Sequence, residues 1–334
     1  MSVRLAVVGC GAIAEKFHLP ALQRAAGAGT SLVFVDPSID RARRLADACP
    51  GAGVAGDWRA VLDQVDALLL TLPHHLHHAV ALEALSRKRH VLSEKPLATD
   101  HAEAAELVAM AAAQGVHLAV NNTRRLYPAH KKVAELVRSG ALGRLTHLRF
   151  EDGDKFDWPL ASPSLFGRAA GGRGIVLDIG AHVLDLVCWW LGGEPELVSY
   201  ADDAMGGTEA HAEIRCARDG CTADVRLSWL GKLDNAFTLV GERGEVRGGI
   251  YDMNRLEVRR DGRTQVWTAS NGPRMYGDLA QPLLEHFLEA VAGRGAPLVT
   301  GADVLPSIAL IERCYASRAR LDLPWFDAWT RIAS

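Results

Sequence analysis

The sequence predicts an α/β chain in two parts: an N-terminal doubly wound parallel sheet, then an α+β part built on a large, open, mostly antiparallel sheet. Three observations carry that prediction. In the N-terminal third, short apolar runs alternate with helical patterns, as in successive βαβ units. A glycine-rich turn joins the first run to the first helix. In the C-terminal half, short strands alternate apolar with polar residues and are joined by Asp/Gly turns.

Val3 to Val8 are mostly apolar and β-branched, as a strand buried on both faces requires. Gly9, Gly11 and Ala14 follow at G-x-G-x-x-A spacing. Gly9 permits the tight turn, Gly11 lets backbone approach a pyrophosphate, and Ala14 lets the helix lie close to the strand. The helix that starts here, around Ala12 and Ile13, points its amides at the phosphates. The strand Leu32 to Val35 ends at Asp36, whose carboxylate accepts hydrogen bonds from both adenosine ribose hydroxyls and repels a 2′-phosphate. Together these predict a Rossmann-type dinucleotide site that takes NAD. Arg41, Arg43 and Arg44, on a helix from Asp40 to Cys49, read as solvated charges; they are also the nearest cations to a 2′-phosphate, so NADP stays an alternative.

Trp58 to Gln64 reads as a short helix and Ala67 to Thr71 as the next buried strand. Cofactor phosphates or the nicotinamide ribose would pass over its end, at Thr71, Leu72 and Pro73. The cluster His74, His75, His77, His78 has no carboxylate or thiolate at ligand spacing, and neighbours at i, i+1 diverge on a helix, so no metal is expected. One histidine, His77, is expected near the cofactor and the others in solvent. A helix from Ala79 to Leu85 leads to the strand His90 to Leu92 and to Ser93-Glu94-Lys95-Pro96, at the sheet edge where open α/β folds bind ligands. Proline fixes the backbone behind Lys95 and is a candidate cis peptide. The helix Asp100 to Gln114 and the strand Val116 to Val120 complete a sheet of about six strands.

The chain has 334 residues, 49% hydrophobic and 23% charged, enough for two domains with sizeable cores. A net charge of −3 offers no basic field for nucleic acid. No apolar run reaches membrane-span length, and the N-terminus enters a strand at once, which leaves no room for a signal peptide. Six scattered cysteines without C-x-x-C fit reduced thiols and a cytoplasmic location.

Several stretches resemble the glucose-fructose oxidoreductase / inositol dehydrogenase / rhizopine catabolism (Gfo/Idh/MocA) family: VVGCGAIA at 7–14, LPHHLH at 72–77, EKPLATD at 94–100, NNTRRLYP at 121–128 and, most specific, GIVLDIGAHVLDLVCWWLG at 174–192. The resemblance spans nearly the whole chain. It implies a Rossmann domain, residues 1–122, followed by a substrate and oligomerisation domain, residues 123–334, whose C-terminal segment packs back on the first. It implies NAD(P)-dependent oxidation or reduction of a sugar, cyclitol or nucleotide sugar, and a homodimer or homotetramer. The family's lysine falls on Lys95, after the cofactor-side Glu94, and its D-x-x-x-H pair on Asp178 and His182. Two departures stand out. Thr123 replaces an asparagine before the paired arginines, placing one cofactor contact in doubt. Arg173 interrupts a run of three glycines, and reads either as a cation for a substrate phosphate or carboxylate or as a surface arginine.

Arg124 leaves the first sheet toward the substrate side, and a helix from Ala129 to Ser139 opens the second domain. After the strand Thr146 to Phe150, the long irregular stretch 151–170 carries Lys155, suited to holding a sugar, and Trp158, which reads either as a stacking platform for a sugar face or as a plug in the core. On the helix Gly180 to Leu191, the four-residue spacing sets Asp178 and His182 on one face, where the positive helix end keeps the imidazole neutral. Asp178 would orient His182 or a substrate hydroxyl, with Asp185 one turn on in support. The strands from Leu197 to Ala269 form a meander, with Val225, Leu227 and Trp229 offered to another subunit. Leu279 to Val291 and Ala302 to Ser317 are helices, and Trp325, Phe326 and Trp329 dock on the body. The expected chemistry is hydride transfer to or from a secondary alcohol or ketone, with Lys95 at the reacting oxygen and His182 exchanging the proton. Two alternatives share these residues: a glycosidase that works by transient oxidation, and a dinucleotide-sensing regulator without turnover.

Overall fold

The computed structural model describes residues 3–157, 173–204 and 207–322; Trp158 and the aromatics Trp325, Phe326 and Trp329 lie outside them. The first sheet is parallel, with β1 (Arg4–Val8), β2 (Ser31–Val35), β3 (Gly53–Ala55), β4 (Ala67–Leu70), β5 (His90–Glu94) and β6 (Leu118–Asn121) in the order β3-β2-β1-β4-β5-β6. The order reverses between β1 and β4, which opens a crevice over the C-terminal strand ends. Leu5, Ala6 and Val7 of β1 and all of Ala67 to Leu70 are fully enclosed, as strands covered on both faces must be.

Strand β3 has no counterpart in the sequence reading. It is three residues long, opens on a glycine and is mostly exposed, so it carries no apolar run. The first helix begins as a π turn, Ala14–His18, before α1 (Leu19–Gly27); Leu19 N–H reaches back to Ala14 O. Pro20 has no N–H to continue the α pattern there. Residues 58–64 form two 3₁₀ turns, Trp58–Ala60 and Leu62–Gln64, instead of one helix. Helices α2 (Ile39–Asp47), α3 (His77–Ser86) and α4 (His101–Gln114) complete the layers. Asp100 caps α4 by accepting from Glu103 N–H, and Gly115 ends it at φ +67°.

After α5 (Pro128–Arg138), the second sheet comprises β7 (Leu145–Gly153), β8 (Glu196–Asp202), β9 (His211–Arg218), β10 (Cys221–Ser228), β11 (Ala236–Gly241), β12 (Gly244–Gly249), β13 (Arg255–Arg260), β14 (Arg263–Thr268) and β15 (Ala319–Arg320). Their order is β14-β13-β12-β11-β7-β10-β9-β8-β15. It is not a plain meander: β7 inserts between β11 and β10 and runs parallel to β10. One face is covered by α5, α6 (Ile175–Asp178), α7 (Gly180–Trp190) and α9 (Gly301–Ala316). Val225 and Leu227 lie beneath these helices, 1% and 0% exposed, which corrects their expected role at a subunit surface. Strand alternation sends their neighbours outward instead. The other face, which no helix covers among the described residues, carries ion pairs, Arg215 with Asp224 at 2.6 Å, Arg226 with Glu213 at 3.2 Å and Arg149 with Glu151 at 2.7 Å.

Helix α8 (Ala280–Val291) returns to the first sheet, where Leu283, Leu284 and Phe287 join Phe17 and Leu22 in one core. Helix α9 packs between α4 and α7, and Val120 N–H donates to Val299 O at 3.0 Å. The C-terminal helices thus tie the two sheets into one body and fix α7 over the ends of β5 and β6. Among the described residues no helix is long and apolar enough to cross a membrane.

Candidate active site

The glycine turn is dictated by close approach. Gly9 has φ +98°, and a Cβ there would stand 2.6 Å from Thr71 O. Thr71 Oγ1 donates to Gly9 O, fastening the ends of β1 and β4. Asp36 is 5% exposed. Its carboxylate accepts from Cys10 N–H at 2.9 Å and Ser38 N–H at 2.8 Å and pairs with Arg41 at 3.3 Å. It stands just past the end of β2, beside the glycine turn. Burial, then the nearby Asp36 charge, push the Cys10 thiol up to about 12, so Cys10 is an inert thiol in the turn.

A cavity of about 780 Å³ runs from Gly11, Ala12 and Ile13 past Thr71, Leu72 and Pro73 to Glu94 and Lys95. Across from these, Arg124, Asp178 and His182 line the same space. Residues distant in sequence therefore share one chamber, because β5, β6 and α7 converge there.

Within it, Lys95 precedes the cis Lys95–Pro96 peptide and donates to Asp178 twice, to Oδ1 at 2.5 Å and to the carbonyl O at 2.9 Å. Burial pushes the Asp178 carboxyl up, but Lys95 and His74 outweigh it and hold it below the usual range. Asp178 does not orient His182. Its side chain is turned to Lys95, and His182 Nδ1 meets Asn122 Oδ1 at 3.1 Å instead. Burial, with Lys95 and Arg124 nearby, holds His182 well below the ordinary imidazole value. The expectation of a neutral His182 agrees, but cations and burial are the cause. Asp178 closes α6, and α7 follows at once, so no free helix start lies beside His182.

Glu94 is held from two sides, by His18 Nε2 at 2.6 Å and Asn121 Nδ2 at 2.5 Å, both on Oε1. Burial raises its pKa, and His18 and Asn121 more than compensate, leaving it depressed. Neither partner was singled out from sequence. The only hint of His18 was its place one turn beyond the glycine motif, where a helix facing a parallel sheet is normally apolar.

Other candidates shift role. His77 does not line the cavity: it is fully buried, with its ring nitrogens 2.7 Å from Pro96 O and 2.9 Å from Leu72 O. It latches the Lys95–Pro96 loop to the end of β4. Of that cluster, His74 and His75 line the cavity wall, and at His74 burial and then Lys95 drive the pKa down to about 3. Thr123 is buried behind Tyr276, its hydroxyl 2.9 Å from the phenol, and Tyr276 takes the wall position. Asp185 lies away from the chamber in a bidentate pair with Arg125 at 2.7 and 2.8 Å. Arg124 pairs with the buried Asp152 at 2.6 Å, and Tyr251 donates to the same carboxylate at 3.0 Å. Arg173 lines the cavity while donating to Thr99 O and lying over the Tyr315 ring at 5.3 Å. Lys155 is exposed on the wall. Glu209, also unforeseen, accepts from Gly174 N–H at 2.8 Å, Val176 N–H at 3.1 Å and Tyr315 O–H at 2.6 Å, so it anchors the start of α6 below Asp178.

These residues fit a dinucleotide. Gly11, Ala12 and Ile13, just past the turn at Gly9, line the wall where a turn leading into a helix suits a pyrophosphate, and the chamber continues to the Lys95 and His182 end.

The family described as "Oxidoreductase family, NAD-binding Rossmann fold" matches residues 3–122, and "GFO/IDH/MocA C-terminal domain" matches residues 130–247. Among curated proteins, a dTDP-3,4-didehydro-2,6-dideoxy-alpha-D-glucose 3-reductase of Actinomadura kijaniata is 29% identical over 253 residues, covering 73% of this chain and 74% of that protein. A 1,5-anhydro-D-fructose reductase of Ensifer adhaerens is 28% identical over 322 residues, covering 92% and 93%. Among solved structures, a 3-ketoreductase from Actinomadura kijaniata in complex with NADP and TDP-benzene superposes with TM-score 0.81 at 24% identity, covering 97% of this chain and 100% of that one. The WlbA dehydrogenase from Bordetella pertussis, in complex with NADH and UDP-GlcNAcA, gives TM-score 0.80 at 24% identity, covering 95% of each.

Proposed function

This chain belongs to the Gfo/Idh/MocA family of NAD(P)-dependent oxidoreductases, and on that premise we propose that it exchanges a hydride between NAD(H) and a secondary alcohol or ketone of a sugar, cyclitol or nucleotide sugar. The observation that carries the reading is the shared chamber: the Lys95–Asp178 pair and the neutral His182 face the space that continues from the glycine turn.

The division of labour follows from donor counts. An ammonium has three N–H groups, and Asp178 takes two of those of Lys95. The third is left for the reacting oxygen of the substrate, where the positive charge stabilises developing alkoxide. Asp178 aims Lys95. His182 accepts the hydroxyl proton during oxidation and returns it during reduction. The nicotinamide, when bound, supplies the hydride chemistry. Gly11 to Ile13 and Asp36 hold the dinucleotide, and Glu94, fixed by His18 and Asn121, contacts its nicotinamide half. Arg124, Lys155 and Arg173 hold the polar remainder of the substrate. Residues 1–122 serve as the cofactor part and 123–334 as the substrate part, with α8 packed back on the first sheet. The uncovered, charge-laced face of the second sheet is where a second copy would pair.

The relatives support the substrate class: one is a reductase of a dTDP-linked sugar and the other of 1,5-anhydro-D-fructose. A panel of sugars, cyclitols and nucleotide sugars, followed at the NADH absorbance band, tests the reading. Turnover with at least one member, lost in Lys95→Met and His182→Gln while NAD binding persists, is the expected result. Cofactor binding with no turnover on any member would count against it, and glycoside cleavage without net NADH would replace it.

A further inference from the structure

We infer that Asn122 sets the tautomer of His182, holding it as the Nδ1–H imidazole so that Nε2 is the basic nitrogen offered to substrate. The inference deepens the proposed function, since it rests on His182 being the proton acceptor.

The argument runs through the amide of Asn122, which is 3% exposed. Its backbone is pinned on both sides: its N–H donates to Val120 O at 2.9 Å, and its carbonyl accepts from Arg125 N–H at 3.0 Å. The side-chain Nδ2 lies 3.4 Å from Ala181 O. A carbonyl can only accept, so the NH₂ half of the amide must face it. The other half, Oδ1, can also only accept, and it lies 3.1 Å from His182 Nδ1. Turning the amide over would set two acceptor oxygens against each other at Ala181. Nδ1 therefore carries the hydrogen. A neutral imidazole has one N–H, so Nε2 keeps its lone pair.

The charged groups that face His182 from the elements around it are Lys95, after β5, and Arg124, after β6. Both are cations, and the Asp178 carboxylate is engaged by Lys95. Neither cation accepts a hydrogen bond, so neither competes with Asn122, the partner of Nδ1 among the described residues. The adjacent Asn121 holds Glu94. The last residue of β6 and the residue after it thus each position one of these groups. Asn122 acts through His182 and is a positioning residue.

The test needs no substrate. In protein labelled with ¹⁵N-histidine, the His182 ring signals, assigned by their loss in His182→Gln, should show the neutral Nδ1–H form. Asn122→Leu should move them to the Nε2–H form or a mixture. Asn122→Asp keeps an acceptor but adds a negative charge, so the tautomer should persist while His182 becomes protonated at a pH higher by about one unit or more. An Nε2–H wild type, an unaltered tautomer in Asn122→Leu, or an unmoved titration in Asn122→Asp would each overturn the inference. If Asn122→Leu does not fold, the Asn122→Asp titration decides alone. Full turnover in His182→Gln would instead overturn the proton-acceptor reading and leave the tautomer assignment standing.

Discussion

Replacing Lys95 by Met removes one ammonium and preserves most of the side-chain volume. Its partner carboxylate on Asp178 is then left in a site where the two side chains are 14% and 21% exposed. Breaking such a pair from one side costs about 3–5 kcal/mol when fully buried; with this residual solvent contact, roughly 2–3 kcal/mol is expected at pH 7. The pH dependence has a definite sign. In the wild type the Asp178 pKa is depressed, so the pair stabilises above the unfolded carboxyl pKa and that contribution is lost as acid protonates it. In Lys95→Met the largest influence opposing burial is gone and only His74 and Arg124 still lower the pKa, so it rises and the stabilisation that the wild type gains as pH rises through the carboxyl range is lost. The variant's melting temperature should fall further below wild type at pH 7 than at pH 5. Turnover should drop about 10²–10³-fold, the loss of one preorganised group at a developing oxyanion. Adding Asp178→Asn to Lys95→Met should recover stability without recovering turnover. Denaturation at the two pH values, with NADH formation as the activity readout, checks all of this. A single variant with unaltered melting and turnover would refute the reasoning.

Other expectations follow from the same geometry. Because His182 is depressed below the ordinary imidazole pKa, kcat/KM for oxidation should stay level as pH falls from 7 through that value and decline only below it; a decline centred above it would contradict the assignment. Asp36→Ser should weaken NAD binding about tenfold, a change near 1.4 kcal/mol, and lessen discrimination against NADP, with Arg41 released from its pair; titration by fluorescence reads both. His18→Phe removes a donor to the depressed Glu94 and should cost about 1–3 kcal/mol, fully felt at neutral pH and shrinking as acid protonates Glu94. Arg125→Ala strips the partner from Asp185, whose side chain is 1% exposed, and should destabilise by about 3–5 kcal/mol while leaving cofactor affinity in the folded fraction intact.

The first sheet was legible because its strands are apolar on both faces and the glycine spacing leaves few alternatives. Strand β3 was not, because three exposed residues beside a glycine have no pattern. Lys95, Asp178 and His182 were identified by resemblance to the family, and the structure brings them to one chamber. Their pairing was not legible. Four-residue spacing suggested Asp178 with His182, but the ammonium across the chamber has the stronger claim on the carboxylate. His18, Asn121, Asn122 and Glu209 escaped notice because a polar residue that holds another looks, in sequence, like any polar residue. Spacing along one element cannot reveal a partner supplied by another sheet. The same limit misplaced Val225 and Leu227: alternation gives two faces, and only the position of α6 and α7 decides which is covered.

The most direct measurement is the electron density of the protein crystallised with NAD⁺. The account predicts the nicotinamide ring in the chamber with C4 turned to the space bounded by Lys95 and His182, leaving room for a substrate carbon about 3–3.5 Å from C4. A nicotinamide bound elsewhere, or with C4 turned away from both side chains, would contradict it.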